Sequence, residues 1–347
     1  MSDTSPTNLP KVSVLLPVYN EARHVRATLQ SIADQDYPLD CIEILVAHGT
    51  STDNTAALIE EFCQANPELQ IRLFENPTNN TATGRNLCLQ AADGLFVLNF
   101  SAHAVADRSL IRTLTEKLRQ LPPSAGGIGC ALRRPLNMSR IERAISAAML
   151  SPMGGMGRVD SSFHAKQDQV AHSVAFTLYK RELLAESGGF DDRFWCGQDA
   201  ELNLRLARRG HDIWFTPDTS VEHHKRSHLV AFVSQMYRYG VARTKLTKKF
   251  PDSLRPVHLL PTIFVLGLAG AVVMACINVL ALVGVGCGAI LFVAVSFYST
   301  ARGGGDLISV LFSPLLYLLM YLTYGLGFLC GLLPTFKKNS ARVAERS

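Results

Sequence analysis

Between Leu259 and Pro334 the chain carries only two charged side chains, Arg302 and Asp306. No fold in water tolerates so long an apolar run, so a lipid environment is the first constraint on everything else. The stretch LLPTIFVLGLAGAVVMACINVLALVGVGCGAILFVAVSFY holds about 40 residues against roughly 20 per crossing, so it folds back once as two helices. Gly284, Gly286 and Gly288 are candidates for the break or for close helix packing. After ARGGGD, the segment LISVLFSPLLYLLMYLTYGLGFLCGLLP adds about 28 residues, enough for a third span with tilt. The expected membrane region is 251–335, with helices over 259–280, 284–300 and 307–334, and a basic tail over 336–347.

Before that region charge and apolar residues mix as in one globular domain, expected over 11–250 after an N-terminal tail of residues 1–10. The N-terminus, MSDTSPTNLPKVSVLLPVYNE, has no basic n-region followed by a long apolar core, so no cleavable secretory signal is read. The expectation is a multi-pass protein of the inner (cytoplasmic) membrane with its globular domain in the cytoplasm. Three spans then place the basic tail outside, against the positive-inside tendency. Either the basic segment before Leu259 dominates, or one apolar segment is re-entrant or interfacial. The net charge of +5 is concentrated in KRSH, RYGVARTKLTKKFPDSLR and KKNSARVAER. These lie beside apolar segments and lack aromatic interleaving, which fits an anionic membrane surface and argues against nucleic acid. Eight cysteines without a CxxC pair read as small hydrophobes rather than zinc ligands or a disulfide framework.

In the first part strands alternate with helices. KVSVLLP is a β-branched, apolar run, and Val25, Leu29 and Ile32 then recur at helical spacing. The pattern repeats in CIEILVAHGTSTDNTAALIEEFCQ, in IRLFENP with TATGRNLCLQAADG, and in GLFVLNF. The fold class expected is α/β, a doubly wound sheet with right-handed crossovers and a Rossmann-like nucleotide-binding half. Its ligand sits off the carboxyl ends of the strands, so PVYNE, HGTSTDN and SAHA should face one crevice. Farther on, GGIGCALRRP reads as a strand, SVAFTLYKRELLAESGGFDDRF as a strand and short helix, and GQDAELNLRLARRGHDIWF as a helix entering a strand.

VSVLLPVYNEARHVRATLQSI, EILVAHGTSTDNT, TGRNLCLQAADG, VLNFSAHA, GGFDDRFWCGQDAELNLRLARRG and RYGVARTK follow in this order. Together they resemble family 2 glycosyltransferases: inverting, nucleotide-sugar-dependent enzymes of GT-A fold with a mixed sheet. The resemblance is greatest to the membrane-attached branch that builds exopolysaccharides. It covers roughly residues 11–250 and implies a nucleoside-diphosphate sugar donor, a UDP-sugar foremost, and a lipid-linked or glycan acceptor.

The resemblance places Pro17, Tyr19, Asn20 and Glu21 beside the nucleotide. Pro17 ends the strand's ladder, Tyr19 covers a base, and Asn20 or Glu21 hydrogen-bonds base or ribose; the alternative is a helix start with Asn20 as N-cap. His48 stands where the family carries an aspartate. A histidine supplies hydrogen bonds but not the carboxylate's charge. Asp53 matches a second family aspartate, and capping the next helix is an equal reason for it. Arg85 and Asn86 match an element at a helix start suited to a diphosphate; a solvated arginine is the alternative.

SAHA aligns with the metal motif. Ser101 replaces the first ligand, His103 remains a ligand, and His223 or His224 of EHHKRSH supplies a later histidine, or else a polar strand end. A divalent cation, Mg²⁺ or Mn²⁺, is implied, with Ser101 a poor ligand for either. Asp199 corresponds to the family's base, which takes the acceptor proton from a helix start; the alternative is an N-cap. Gln198, Glu201, Arg238 and Arg243 are the acceptor-side candidates. The QxxRW element of processive relatives is not intact around Arg238, Tyr239 and Arg243, where no tryptophan sits. The expected function is a membrane-bound transferase that adds one sugar, weakened or atypical because of its metal motif. Two alternatives stand beside it: a degenerate domain kept as a membrane scaffold or partner subunit, and a metal-independent enzyme that uses a prenyl-phosphate sugar.

Overall fold

The computed structural model describes residues 9–135, 137–155, 165–171, 174–223 and 228–333. His224 and the basic tail lie outside them. The chain divides into two compact units, one of Met1–Met138 with Met156–Lys225, the other of Ser139–Gly155 with Arg226–Ser347.

The first unit is built on a mixed sheet. Strands β1 (Val12–Val18), β2 (Ile42–Gly49), β3 (Gln70–Asn76) and β4 (Phe96–Asn99) run parallel in the order β3-β2-β1-β4. Helices α1 (Val25–Ala33), α2 (Thr55–Ala65) and α3 (Thr81–Ala91) make the crossovers. Val12, Val14, Leu15 and Leu16 are all buried, as befits a parallel strand covered on both faces, which has no need of alternation. β1 runs through Pro17 to Val18 beside β2. It pairs with β4 only as far as Leu15 opposite Asn99, so the proline stands beyond that ladder and its missing N–H costs nothing.

Past β4 the sheet turns mixed. β8 (Leu178–Lys180) is antiparallel to β4 and to β6 (Ala125–Arg133). β9 (Asp212–His223) is parallel to β6. β5 (Ala104–Ala106) and β7 (Gln169–Val170) pair antiparallel with β9. Helices α4 (Leu110–Gln120), α6 (Arg181–Glu186) and α7 (Gln198–Ala207) complete the unit. α4 seats Leu110, Ile111, Leu114 and Leu118 in the core, at a helical spacing the sequence reading passed over.

A buried carboxylate ties the amino ends of the strands. Glu43 Oε1 accepts from Ser13 Oγ at 2.5 Å and from the Asp93 N–H at 2.7 Å, and Arg72 Nη2 lies 3.1 Å from Oε2. Burial pushes this carboxyl up, but the Ser13 and Asp93 hydrogen bonds with Lys11 and Arg72 outweigh it and hold it below the usual range.

The second unit is helical: α5 (Arg140–Leu150), α8 (Leu229–Lys249), α9 (Pro256–Ala275), α10 (Val279–Arg302) and α11 (Leu307–Leu332). α9, α10 and α11 are long and apolar enough to cross a membrane. The turn between α9 and α10 is capped by Asn278, whose side chain accepts from the Leu280 N–H. α10 therefore runs unbroken through Gly284, Gly286 and Gly288, none of which has a neighbour within 4 Å of the place a Cβ would take. Neither helix break nor tight packing, the roles expected of these glycines, is found there.

The close packing lies elsewhere. A Cβ on Gly240 of α8 would stand 2.1 Å from the Tyr324 carbonyl of α11, so only glycine lets the two backbones approach this far. Thr244 Oγ1 donates to the Phe328 carbonyl at 2.8 Å, and Lys248 Nζ to the Gly331 carbonyl at 2.8 Å, closing the end of α11. α5 opens with a capping box between Ser139 and Glu142. Ser151, just after it, shares a buried hydroxyl cluster with Ser299, Thr300 and Tyr317 of α10 and α11.

Candidate active site

The chain runs outward from β1 through β2 to β3 and then crosses back to β4 on the other side of β1, so the carboxyl ends of β1 and β4 form the crevice that α/β sheets use for ligands. Two turns interlock there. The Asn20 N–H donates to Ser51 Oγ at 2.9 Å, and Asn20 Oδ1 accepts from the Thr52 N–H at 2.8 Å. The Glu21 N–H donates to Thr55 Oγ1 at 2.8 Å, and the Ala22 N–H to Asp53 Oδ2 at 3.1 Å. Asn20 takes φ 53°, in the left-handed region that asparagine tolerates better than most residues. The helix begins only at Val25, so Asn20 is a turn residue and not its N-cap.

Tyr19 lies over Gly49, where a Cβ would meet the tyrosine ring at 3.0 Å. His48 Nε2 is 3.1 Å from Ser51 Oγ. The imidazole is thus coupled to the same serine that holds the Asn20 backbone. Asp53 Oδ1 accepts from the N–H and hydroxyl of Thr55 at the start of α2. Partial burial pushes its carboxyl up, but the hydrogen bonds from Thr55 and Ala22 outweigh this and hold it below the usual range. Its oxygens brace the two turns against each other.

Beyond β4 the chain carries Ser101 and His103 to the same end. His103 Nδ1 lies 2.8 Å from Glu21 Oε1, and Ser101 Oγ lies 3.2 Å from His103 Nε2. The His223 ring, at the end of β9, stands 4.9 Å from that of His103 between centroids. His103, His223, Ser101 and Glu21 are brought together, while no group of three histidine, cysteine or acidic side chains among the described residues has metal-holding geometry. The residues do not form a cation cage by themselves.

Asp199 stands in the first turn of α7, after Gly197 in left-handed conformation. Its Oδ1 accepts from Arg85 Nη1 at 2.9 Å and from Asn99 Nδ2 at 2.8 Å. Gln198 Oε1 accepts from the same Arg85 Nη1 at 3.0 Å, and Gln198 Nε2 donates to the Phe194 carbonyl at 2.8 Å. Arg85 is buried, with its guanidinium carbon 5.1 Å from the centre of the Phe190 ring. Such an arginine is not a solvated one, and the acidic side chain it holds is Asp199. Beneath this pair Tyr179 donates to Asn203 Oδ1 at 2.8 Å, both residues buried.

Other expected residues are placed differently. Asn86 exchanges two hydrogen bonds with the Phe190 backbone, each at 2.8 Å, and so fastens the GGFDDRF turn to α3. Glu201 is fully buried and paired with Arg205, 2.9 Å from Oε1 to Nε, and Arg205 in turn donates to the Ser187 and Gly189 carbonyls. That carboxylate supports a turn and does not open on the crevice. Arg238 and Arg243 fall on α8 in the second unit, where Arg243 neighbours Tyr324.

Asn99, Ser51 and Tyr179 escaped the sequence reading. A signal existed for Asn99: an amide inside the apolar strand FVLNF needs a reason. Ser51 offered none beyond its place in a turn.

The family model for glycosyl transferase family 2 matches residues 13–186. A dolichyl N-acetyl-alpha-D-glucosaminyl phosphate 3-beta-D-2,3-diacetamido-2,3-dideoxy-beta-D-glucuronosyltransferase of Methanococcus voltae is 28% identical over 244 residues, 69% of this chain and 74% of that protein. Succinoglycan biosynthesis protein ExoA of Rhizobium meliloti is 27% identical over 280 residues, 79% of this chain and 81% of the relative. Among solved structures, the mannosyltransferase PcManGT from Pyrobaculum calidifontis, in complex with GDP-Man and Mn²⁺, superposes with TM-score 0.62 at 21% identity, over 89% of this chain and 87% of that one. The mixed sheet is therefore a GT-A fold followed by helices able to span a membrane. The chain belongs to glycosyl transferase family 2, with relatives in exopolysaccharide and lipid-linked sugar assembly.

Proposed function

We propose that this transferase moves a sugar from a nucleoside-diphosphate sugar, a UDP-sugar first, to a lipid-linked or glycan acceptor with inversion, in surface or exopolysaccharide assembly. The observation that carries the proposal is the Asp199 carboxylate, held at a helix start by Arg85 and Asn99. The acceptor hydroxyl gives its proton to this carboxylate as its oxygen bonds the anomeric carbon. The bond from that carbon to the diphosphate breaks on the opposite face, and the nucleoside diphosphate leaves. Tyr19, Asn20, His48 and the interlocked turns receive the nucleotide. An acceptor confined to the bilayer meets the enzyme at high effective concentration, which is the purpose of the apolar helices. The setting is the inner membrane, crossed several times, with the transferase domain expected over 11–250 in the cytoplasm.

A divalent cation, when bound, offsets the charge that builds on the leaving diphosphate. His103, with His223, would hold it only together with the phosphate oxygens, because Ser101 supplies no carboxylate. A slow or atypical rate is expected on that account.

Calorimetric titration of the detergent-solubilised protein with UDP and GDP, with and without Mn²⁺, tests the donor site. Binding of neither under any condition would sink the proposal and leave the scaffold reading. Binding without any effect of Mn²⁺ would set the cation aside. Turnover of a prenyl-phosphate sugar alone would replace the nucleotide donor.

A further inference from the structure

We infer that Asn99 is a positioning residue for the transfer: it fixes the Asp199 carboxylate so that one oxygen, Oδ2, receives the acceptor proton. The inference rests on the reading of Asp199 as base. Both donors converge on a single oxygen, Asn99 Nδ2 at 2.8 Å and Arg85 Nη1 at 2.9 Å from Oδ1. Among the described residues no hydrogen bond reaches Oδ2. The Asp199 side chain is 38% exposed while that of Arg85 is 9% exposed, so the carboxylate is gripped from the inside and open on the outside. With its lone pairs on Oδ1 engaged by a cation and an amide, the carboxylate has only Oδ2 available to the acceptor.

The position of Asn99 in the fold makes a purely structural explanation poor. The residue is 3% exposed at the end of β4, between Leu98 and Phe100 in the core. There a leucine would pack without desolvating an amide. Its Oδ1 is buried and has no hydrogen-bond partner among the described residues, so half of the amide's capacity is given up. Turning the amide over would point that oxygen at the Asp199 carboxylate. The observed orientation is therefore set by Asp199 and not by the amide's own satisfaction, and an incompletely bonded buried group calls for a functional reason. A strand end, more rigid than a loop, is also the place from which a catalytic group is aimed best.

Asn99→Leu removes the donor and keeps the branching at Cγ, and Asn99→Asp keeps the shape but sets a carboxylate against Asp199. Each is compared with Asp199→Asn. Turnover is followed as nucleoside diphosphate release from UDP-glucose, UDP-N-acetylglucosamine and GDP-mannose, with a polyprenyl pyrophosphate sugar as acceptor. Nucleotide affinity is measured by calorimetry. The expected result is a kcat lower by about 10- to 100-fold in both Asn99 variants, with donor KM and nucleotide Kd held within about twofold. A kcat at the wild-type level in Asn99→Leu, or kcat and nucleotide affinity falling in parallel, overturns the inference. If Asn99→Leu does not fold, the isosteric Asn99→Asp decides by the same criteria. An active Asp199→Asn withdraws the base itself, whereas an inactive Asp199→Asn beside a normal Asn99→Leu withdraws only the positioning role.

Discussion

His103 Nδ1 lies 2.8 Å from Glu21 Oε1, so the end of β4 is latched to the turn that follows β1. A carboxylate on one ring nitrogen fixes the tautomer and the orientation of the other, as happens behind metal-binding histidines. Replacing Glu21 with Gln is expected to weaken Mn²⁺-dependent UDP or GDP binding by about 10-fold and to leave metal-free binding nearly unchanged. Calorimetry with and without Mn²⁺ checks this, and equal losses in both conditions would instead assign Glu21 to the nucleotide.

Ser101 sits within reach of His103, 3.2 Å from its Nε2, where a carboxylate would complete the usual donor set. Ser101→Asp should tighten Mn²⁺-dependent nucleotide binding, by about 10-fold if one added ligand is worth roughly 1.4 kcal/mol. Unchanged Mn²⁺ dependence in the titration would show that the position no longer addresses a cation.

Glu43, with its side chain 3% exposed, receives hydrogen bonds from two strands and a turn, so Glu43→Gln should cost about 3 kcal/mol by breaking a buried charge cluster. Its folded carboxyl is held below the usual value. The contribution is therefore fully present above the unfolded value, about 4.3, and is lost as pH falls through the depressed folded value. The gap between wild type and variant should be constant near neutrality and close toward acid. The chain's two tryptophans, Trp195 and Trp214, both lie in the sheet unit, so denaturant titrations followed by their fluorescence at pH 7 and pH 3 measure it.

At the crossing of α8 and α11 an added methyl has nowhere to go. Gly240→Ala would place its Cβ 2.1 Å from the Tyr324 carbonyl and should destabilise the helical unit by about 1–3 kcal/mol. A lowered thermal midpoint in detergent, with nucleotide binding retained, is the expected signature; an unchanged midpoint would deny the close approach.

Much of the fold was legible because parallel strands and their crossover helices leave strong local marks. KVSVLLP, EILVAHG and FVLNF read as strands and became β1, β2 and β4. The meeting of PVYNE with STDNT followed from strand order alone. What stayed hidden depends on partners remote in sequence. TGRN reads as a helix start, yet Arg85 lies one turn into α3, and a carboxylate 114 positions later shares its guanidinium. Glu201 is expected on the acceptor side, but two residues on from Asp199, about 200° around the helix, it turns into the core, where Arg205 ties it to the Ser187 and Gly189 carbonyls. α5 was passed over although its capping signature, Ser139 with Glu142, is written in the chain.

Ser139–Gly155 groups with the apolar helices, although in sequence it lies between strands of the sheet unit. Its Ala144, Ile145, Ala148 and Met149 are buried, and Ser151 bonds the Tyr317 hydroxyl. A truncation after residue 250, the natural way to seek a soluble enzyme, would strip these side chains of their cover and leave an apolar helix in the middle of the retained fragment. Poor yield of such a fragment would then speak of an orphaned insert and not of an unstable sheet. A cut version would need α5 resurfaced, or replaced by a short polar connection, before its behaviour could be compared with the intact chain.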